Sequence, residues 1–331
     1  MVHFSIEKRD TMNTNIDQKQ ENQNSILQVI DEVSNVIVGK EEVIKLTLSA
    51  MLASGHVLFE DIPGVGKTTL VKSLSKALQS TFGRVQFTPD LLPSDIVGVS
   101  MFDLKTQLFT LKKGPVFADI MLADEINRTT PKTQSALLEA MNEKQVTIDN
   151  QTYPLNEHFF VLATQNPIEY EGTYPLIEAQ LDRFLFKLTL GYPSVEQETM
   201  LLLNQEDEPY LKVKEVMSKE QITQLKKQVS DVYVHKDIAA YIMDIVVATR
   251  NNEKIKLGVS PRGSLALIKA AKAYAIVSGR DYVSLDDVKA LVVPTFSHRI
   301  ILNNRYRQSF DQSNQVLVEL LKSIKIPKIS V

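Results

Sequence analysis

The feature that most constrains this chain is a glycine turn set between a short apolar run and a helical one. Residues 61–69 read Asp61-Ile62-Pro63-Gly64-Val65-Gly66-Lys67-Thr68-Thr69. The apolar run 56–59 precedes them, and helical spacing over 69–78 follows. Strand, turn and helix make one half of a βαβ unit. Glycines let backbone N–H groups converge on phosphate oxygens, and the helix N-terminus adds a favourable dipole. Lys67 is then expected to reach β and γ phosphates, and the Thr68 hydroxyl to ligate Mg²⁺. The pattern G-x-x-x-x-G-K-[ST] holds at Gly66, Lys67 and Thr68 and departs at the first glycine, where Asp61 stands. Asp61 falls at the strand end, ahead of the glycines that form the cradle.

Further apolar runs at 84–87, 120–123 and 159–163, with a mixed one at 184–190, predict a parallel, doubly wound α/β sheet. A helix is expected over 131–141, with Thr130 as N-cap and Pro131 in its first turn. Two stretches break the alternation. Residues 98–111 and 145–155 each hold two strand-like pieces about a polar turn, and both are expected as β-hairpin inserts. Helices are expected at 25–38 and 41–53 on either side of Gly39. After Pro193 the pattern becomes helical, with capping boxes at Ser194/Gln197, Ser218/Gln221 and Ser284/Asp287 and a helix over 261–278. The expected organisation is a polar, disordered tail (1–24), a nucleotide-binding α/β domain (25–192) and a smaller helical lid domain (193–331).

The run Ile120-Met121-Leu122-Ala123 ends in Asp124-Glu125. Two adjacent carboxylates repel unless a cation or a task holds them. Beside a phosphate loop, Asp124 is expected to steady Mg²⁺ and Glu125 to activate water as general base. Alone, the pair would read as a solvated strand end. Composition narrows the partners. With 37 Lys+Arg against 40 Asp+Glu, the chain is not built to coat nucleic acid. The absence of cysteine removes thiolate metal sites and cysteine nucleophiles. No apolar run reaches the roughly 20 residues of a membrane span, so a cytoplasmic location is expected. His56, His158, His235 and His298 show no metal-ligand spacing.

The chain resembles the AAA+ ATPases, and among them the MoxR family. The resemblance rests on four blocks: 60–69; Leu122-Ala123-Asp124-Glu125-Ile126-Asn127-Arg128 continuing to Met141; Ala163-Thr164-Gln165-Asn166-Pro167 with Ala179-Gln180-Leu181-Asp182-Arg183-Phe184; and Gly258-Val259-Ser260-Pro261-Arg262. It implies a P-loop AAA+ core with a helical lid, ATP at their junction, and a homo-oligomeric ring, commonly a hexamer. It implies nucleotide contacts from Val38, Gly64, Val65, Gly66, Lys67, Thr68, Thr69 and Asp124, with Mg²⁺ on Thr68 and Asp124. Asn166 resembles sensor 1, although Asn-Pro is also a common turn. Arg183 resembles the arginine finger that enters a neighbouring subunit's site, unless it pairs with Asp182. Arg262 resembles sensor 2, in cis or in trans. It sits in a first helical turn, where the dipole disfavours a cation by roughly 0.3–1 kcal/mol, so it needs an anionic partner. Arg128 reads as a contact to a neighbour or as a surface residue. The hairpins resemble the helix-2 and pre-sensor-1 inserts, which tend to face the pore or the partner.

The activity this implies is ATP hydrolysis that remodels or matures a client protein, often one with a von Willebrand factor A domain. Other readings are a nucleic-acid motor of the same branch, a chelatase-like motor subunit and a nucleotide-gated scaffold. Lys105, Lys112 and Lys113 lack the interleaved aromatic residues of single-strand binders, so nucleic acid is not the expected partner.

Overall fold

The computed structural model of the chain describes residues 3–166, 172–204, 207–306 and 312–327. In chain order the first elements are α1 (His3–Ser34), α2 (Glu41–Leu52), β1 (Val57–Glu60), α3 (Lys67–Ala77), β2 (Phe82–Gln86), α4 (Pro93–Val97), β3 (Gly98–Asp103), β4 (Leu108–Lys113) and β5 (Ile120–Asp124). Then come α5 (Pro131–Glu143), β6 (Gln145–Ile148), β7 (Gln151–Pro154), β8 (Phe160–Gln165), α6 (Glu178–Leu181) and β9 (Phe186–Leu188). The C-terminal part holds α7 (Val195–Asn204), α8 (Lys219–Asp231), α9 (Lys236–Arg250), β10 (Ile255–Leu257), α10 (Pro261–Val277), α11 (Leu285–Phe296), β11 (Ile301–Leu302) and α12 (Gln312–Ser323).

The central sheet has five strands in the order β2-β5-β8-β1-β9, and every pairing is parallel. The two-residue period of the strands divides their side chains between two cores. Val57, Phe59, Leu122 and Leu162 pack with Leu70, Val71 and Leu74 of α3. Leu58, Met121, Val161 and Ala163 pack with Leu137, Leu138 and Met141 of α5. Both faces are covered, which is why these strands read as continuous apolar runs. This is the α/β AAA+ architecture, with a lid after the core.

Both expected inserts are antiparallel hairpins, β3–β4 and β6–β7. The second turns on Asp149 (φ +49°) and Asn150 (φ +63°), the left-handed pair that a tight two-residue hairpin loop needs. The three capping boxes close reciprocally: Ser194 with Gln197, Ser218 with Gln221 and Ser284 with Asp287. Thr130 precedes α5, but its side chain makes no cap bond to the helix backbone.

Two findings depart from the sequence expectation. Helix α1 begins at His3, so the polar stretch expected as a tail is helical. Its apolar stripe of Ile26, Val29, Ile30 and Val33 is buried, and no glycine or proline interrupts the residues before it. The C-terminal part is not helical throughout, because β10 and β11 pair into a short antiparallel ribbon. Helix α8 is fastened to the far end of the sheet. There the wholly buried Asp119 accepts from Thr81 N (2.8 Å), Thr81 Oγ1 (2.7 Å) and Lys219 Nζ (2.7 Å). Burial alone would raise this carboxyl, but those donors together hold it below its ordinary value.

His56 is a structural residue with a defined tautomer. Its Nδ1 accepts from Val161 N (3.0 Å), which leaves Nε2 to donate to Met141 O (3.2 Å). Burial pushes its pKa down from 6.5 to about 4, with Lys144 and Lys226 adding to the effect. Between those values the unfolded chain binds a proton that the folded chain refuses, so stability falls as pH drops from about 6.5 towards 4. At about 1.4 kcal/mol per pH unit this amounts to roughly 3 kcal/mol. Urea unfolding across that window should show the decline, and His56→Gln should flatten its slope by about one proton.

Candidate active site

The glycine loop enters α3 through two left-handed residues, Gly64 (φ +84°) and Gly66 (φ +93°). A Cβ at Gly64 would meet nothing within 4 Å, so the backbone angle rather than space demands glycine there. Lys67 opens α3 and donates from Nζ to the carbonyls of Asp61 (3.1 Å) and Ile62 (2.9 Å). Burial lowers its pKa, and the charges of Asp61, Asp124 and Glu125 oppose that. Gly64, Gly66, Lys67 and Thr68 line one wall of a cleft whose other walls include Asp124, Glu125 and Asn166. Val65 is half-buried against the core and Thr69 lies in the first turn of α3; neither lines the cleft. Val38 is exposed at the turn before α2. Its neighbour Ile37 approaches the loop, with Cδ1 4.0 Å from where a Cβ on Gly66 would stand.

Asp61 has a definite task. Its buried carboxylate accepts from the backbone N–H groups of Leu190 and Gly191 (3.1 Å to the latter), just beyond β9. Burial pushes its pKa up, while those amides, Lys67 and Lys40 oppose the rise. Lys40 Nζ in turn donates to Tyr192 O (2.9 Å). The loop, the segment before α2 and the chain leaving the sheet are thus tied together.

The acid pair stands at the end of β5, and Glu125 takes the left-handed conformation (φ +57°) as the strand terminates. The repulsion is met by specific donors. Thr164 Oγ1 donates to Asp124 Oδ1 (2.7 Å) and accepts from Glu125 N (2.8 Å). Arg84 Nη2 donates to Asp124 Oδ2 (2.8 Å). Gln86 Nε2 donates to Glu125 Oε2 (2.6 Å), and Arg128 pairs with the same oxygen at 3.2 Å. Arg84, Gln86 and Thr164 were missed from sequence. The signal was the alternation in Arg84-Val85-Gln86, where only Val85 is buried. Asn166 is buried at the end of β8, and its carbonyl accepts from Asn127 Nδ2 (3.5 Å). Pro167, the next residue of that block, lies outside the described residues.

The two expected arginines lie elsewhere. Arg183 does not pair with Asp182. It donates to Leu138 O (2.6 Å) on α5, and the Asn142 amide oxygen, correctly oriented, accepts from it at 2.9 and 3.2 Å. It lines a separate cleft with Glu139, Asn142 and Gln180. Ser260 caps α10 by accepting from Gly263 N, and Arg262 follows, largely exposed, 3.9 Å from Asp182. Asp182 mainly holds Arg299, a buried residue absent from the expectations, whose Nε donates to Asp182 Oδ1 at 2.7 Å. The lid and the end of α6 are thereby joined.

No group of three His, Cys, Asp or Glu able to hold a metal occurs among the described residues. None of their helices is long and apolar enough to cross a membrane.

Comparison with known proteins places this geometry. Residues 56–186 match the ATPase family associated with various cellular activities (AAA), and residues 247–320 match the AAA lid domain. The chain is 50% identical over 299 residues to the uncharacterized protein YeaC of Bacillus subtilis, covering 90% of this chain and 93% of that one. It is 40% identical over 312 residues to the chaperone MoxR1 of Mycobacterium tuberculosis, covering 91% and 82% respectively. The crystal structure of a Cytophaga hutchinsonii protein assigned as an ATPase superposes with a TM-score of 0.89 at 39% identity, covering 96% of this chain and 99% of that one. The sheet, the loop, the lid and these relatives agree: the chain belongs to the MoxR family of AAA+ ATPases.

Proposed function

We propose that this ATPase hydrolyses ATP at the interfaces of a homo-oligomeric ring, of hexameric type, and uses the turnover to remodel or mature client proteins. The observation that carries the proposal is the division of groups between two clefts. Gly64, Gly66, Lys67, Thr68, Asp124, Glu125 and Asn166 share one, and Arg183 lines the other. A finger arginine on a different face from its own loop is what a site shared between subunits requires.

In this reading the loop amides and Lys67 bind the β and γ phosphates, and Val38, Val65 and Thr69 support the nucleotide. Glu125 takes a proton from the attacking water, which Asn166 orients. Arg183 of a neighbouring copy stabilises charge on the transferred phosphoryl group, and Arg262 responds to nucleotide from the lid. Thr68 and Asp124 offer a hydroxyl and a carboxylate in one cleft, hard oxygen donors suited to Mg²⁺ completed by nucleotide phosphates. Bound there, Mg²⁺ would neutralise phosphate charge.

A protein client is favoured over nucleic acid by the β3–β4 hairpin. It exposes Met101, Phe102, Leu104, Leu108 and Phe109, and the two Phe rings stack edge-on at 5.2 Å. That apolar surface suits a protein, including one with a von Willebrand factor A domain, better than a phosphate backbone. A cytoplasmic location accords with such clients.

Two measurements test the site. Glu125→Gln should keep ATP affinity while turnover falls about 10²- to 10⁴-fold; undiminished turnover would refute the base assignment. Arg183→Ala and Lys67→Ala should each be inactive alone, yet mixed assemblies should regain part of the activity. No recovery in assemblies shown to contain both subunits would refute a shared site.

A further inference from the structure

The donors that hold the acid pair include a permanent cation, Arg84, bound to the carboxylate that would serve a metal. β2 is an edge strand, in register with β5 so that Gln86 lies opposite Asp124 and Arg84 opposite Leu122. The two-residue period turns Arg84 and Gln86 to one face, and both line the cleft with Lys67 and Thr68. Arg84 Nη2 reaches Asp124 Oδ2 at 2.8 Å and Gln86 Oε1 at 3.1 Å. The other oxygen, Oδ1, is engaged by Thr164 from the middle of the sheet. Asp124 is thus anchored through Oδ1 and offers Oδ2 towards the cleft, and Arg84 is bound to Oδ2.

A guanidinium does not lose its proton in proteins, so the cation beside Asp124 is a permanent one. The Asp124 side chain is only 15% exposed, whereas that of Arg84 is 46% exposed. The carboxylate is therefore largely enclosed, and the arginine meets it from the solvent side. We propose that Arg84 is a positioning residue that competes with the divalent metal for Asp124 Oδ2. It neutralises the acid and sets the metal concentration at which nucleotide is held as its metal complex. The proposal rests on the reading that Asp124 serves the metal. It assigns Arg84 a role in the metal equilibrium, not in bond breaking.

The test is binding of fluorescent methylanthraniloyl-ADP to the full chain, titrated against Mg²⁺ and repeated in EDTA. Relative to wild type, Arg84→Gln should move the Mg²⁺ midpoint lower by up to about five-fold, the scale of a half-exposed ion pair. In EDTA the same variant should bind the analogue no more tightly than wild type, because a cation near the phosphates has been lost. Arg84→Lys, which keeps the charge, should leave the midpoint within about two-fold. A site merely disordered by the change would weaken binding in both arms, and an unchanged or raised midpoint overturns the proposal. Asp124→Asn separates the two levels. If it removes the Mg²⁺ dependence while Arg84→Gln leaves the midpoint in place, only the role of Arg84 fails. If Asp124→Asn retains the dependence, the reading of Asp124 fails and takes the proposal with it.

Discussion

Every candidate catalytic feature hangs on the parallel alignment of the central strands. Because β1, β8 and β5 run the same way and in register, their C-terminal ends emerge along one edge. Glu60 lies opposite Gln165, and Ala123 opposite Ala163, so the residues just past each strand meet in one cleft. The glycine loop leaves β1 there, the acids leave β5 and Asn166 leaves β8. An antiparallel neighbour would send its functional end to the opposite edge. The two buried side-chain layers that cover the sheet therefore also fix the geometry of the site.

Polar ties brace both edges of the sheet. At the C-terminal edge Asp61 anchors the loop to the exit of β9, and Thr164 bridges Asp124 and the Glu125 backbone. At the opposite edge Asp182, ahead of β9, holds Arg299 and approaches Arg262, and the buried Asp119 fixes Lys219 of α8. Removing one partner of such a buried pair typically costs about 3–5 kcal/mol, because the other charge is left uncompensated.

Much of this was legible in the chain itself. The inner strands β1, β5 and β8 appeared as apolar runs because both their faces are buried, and the capping boxes appeared because their side-chain chemistry is local. The β6–β7 turn was readable for the same reason, since Asp-Asn tolerates the left-handed angles. Where reading by pattern fell short, side-chain orientation or distance was the cause. Thr130 occupies the N-cap position of α5, yet local propensity does not decide where its hydroxyl points. The stretch before Ser25 is mostly polar, but helix formation there needs only an adjoining anchored helix and no breaker. The β10–β11 ribbon joins segments more than forty residues apart and is too short to show a period.

The site divides the same way. Lys67, Thr68, Asp124 and Glu125 could be singled out from sequence as candidates because phosphate and metal chemistry demands particular side chains at fixed offsets within one strand, turn or helix, and the structure brings the four to one cleft. The partners of those residues could not. Arg84 and Gln86 lie some forty positions before the acids they hold, and only the β2–β5 register brings them there. Asp61 departs from the motif by its letter alone; that it clasps the exit of β9 depends on two strands lying side by side. The sequence determined the local chemistry, which covalent spacing sets. The tertiary structure decided which charges meet, because meeting depends on packing between segments far apart along the chain.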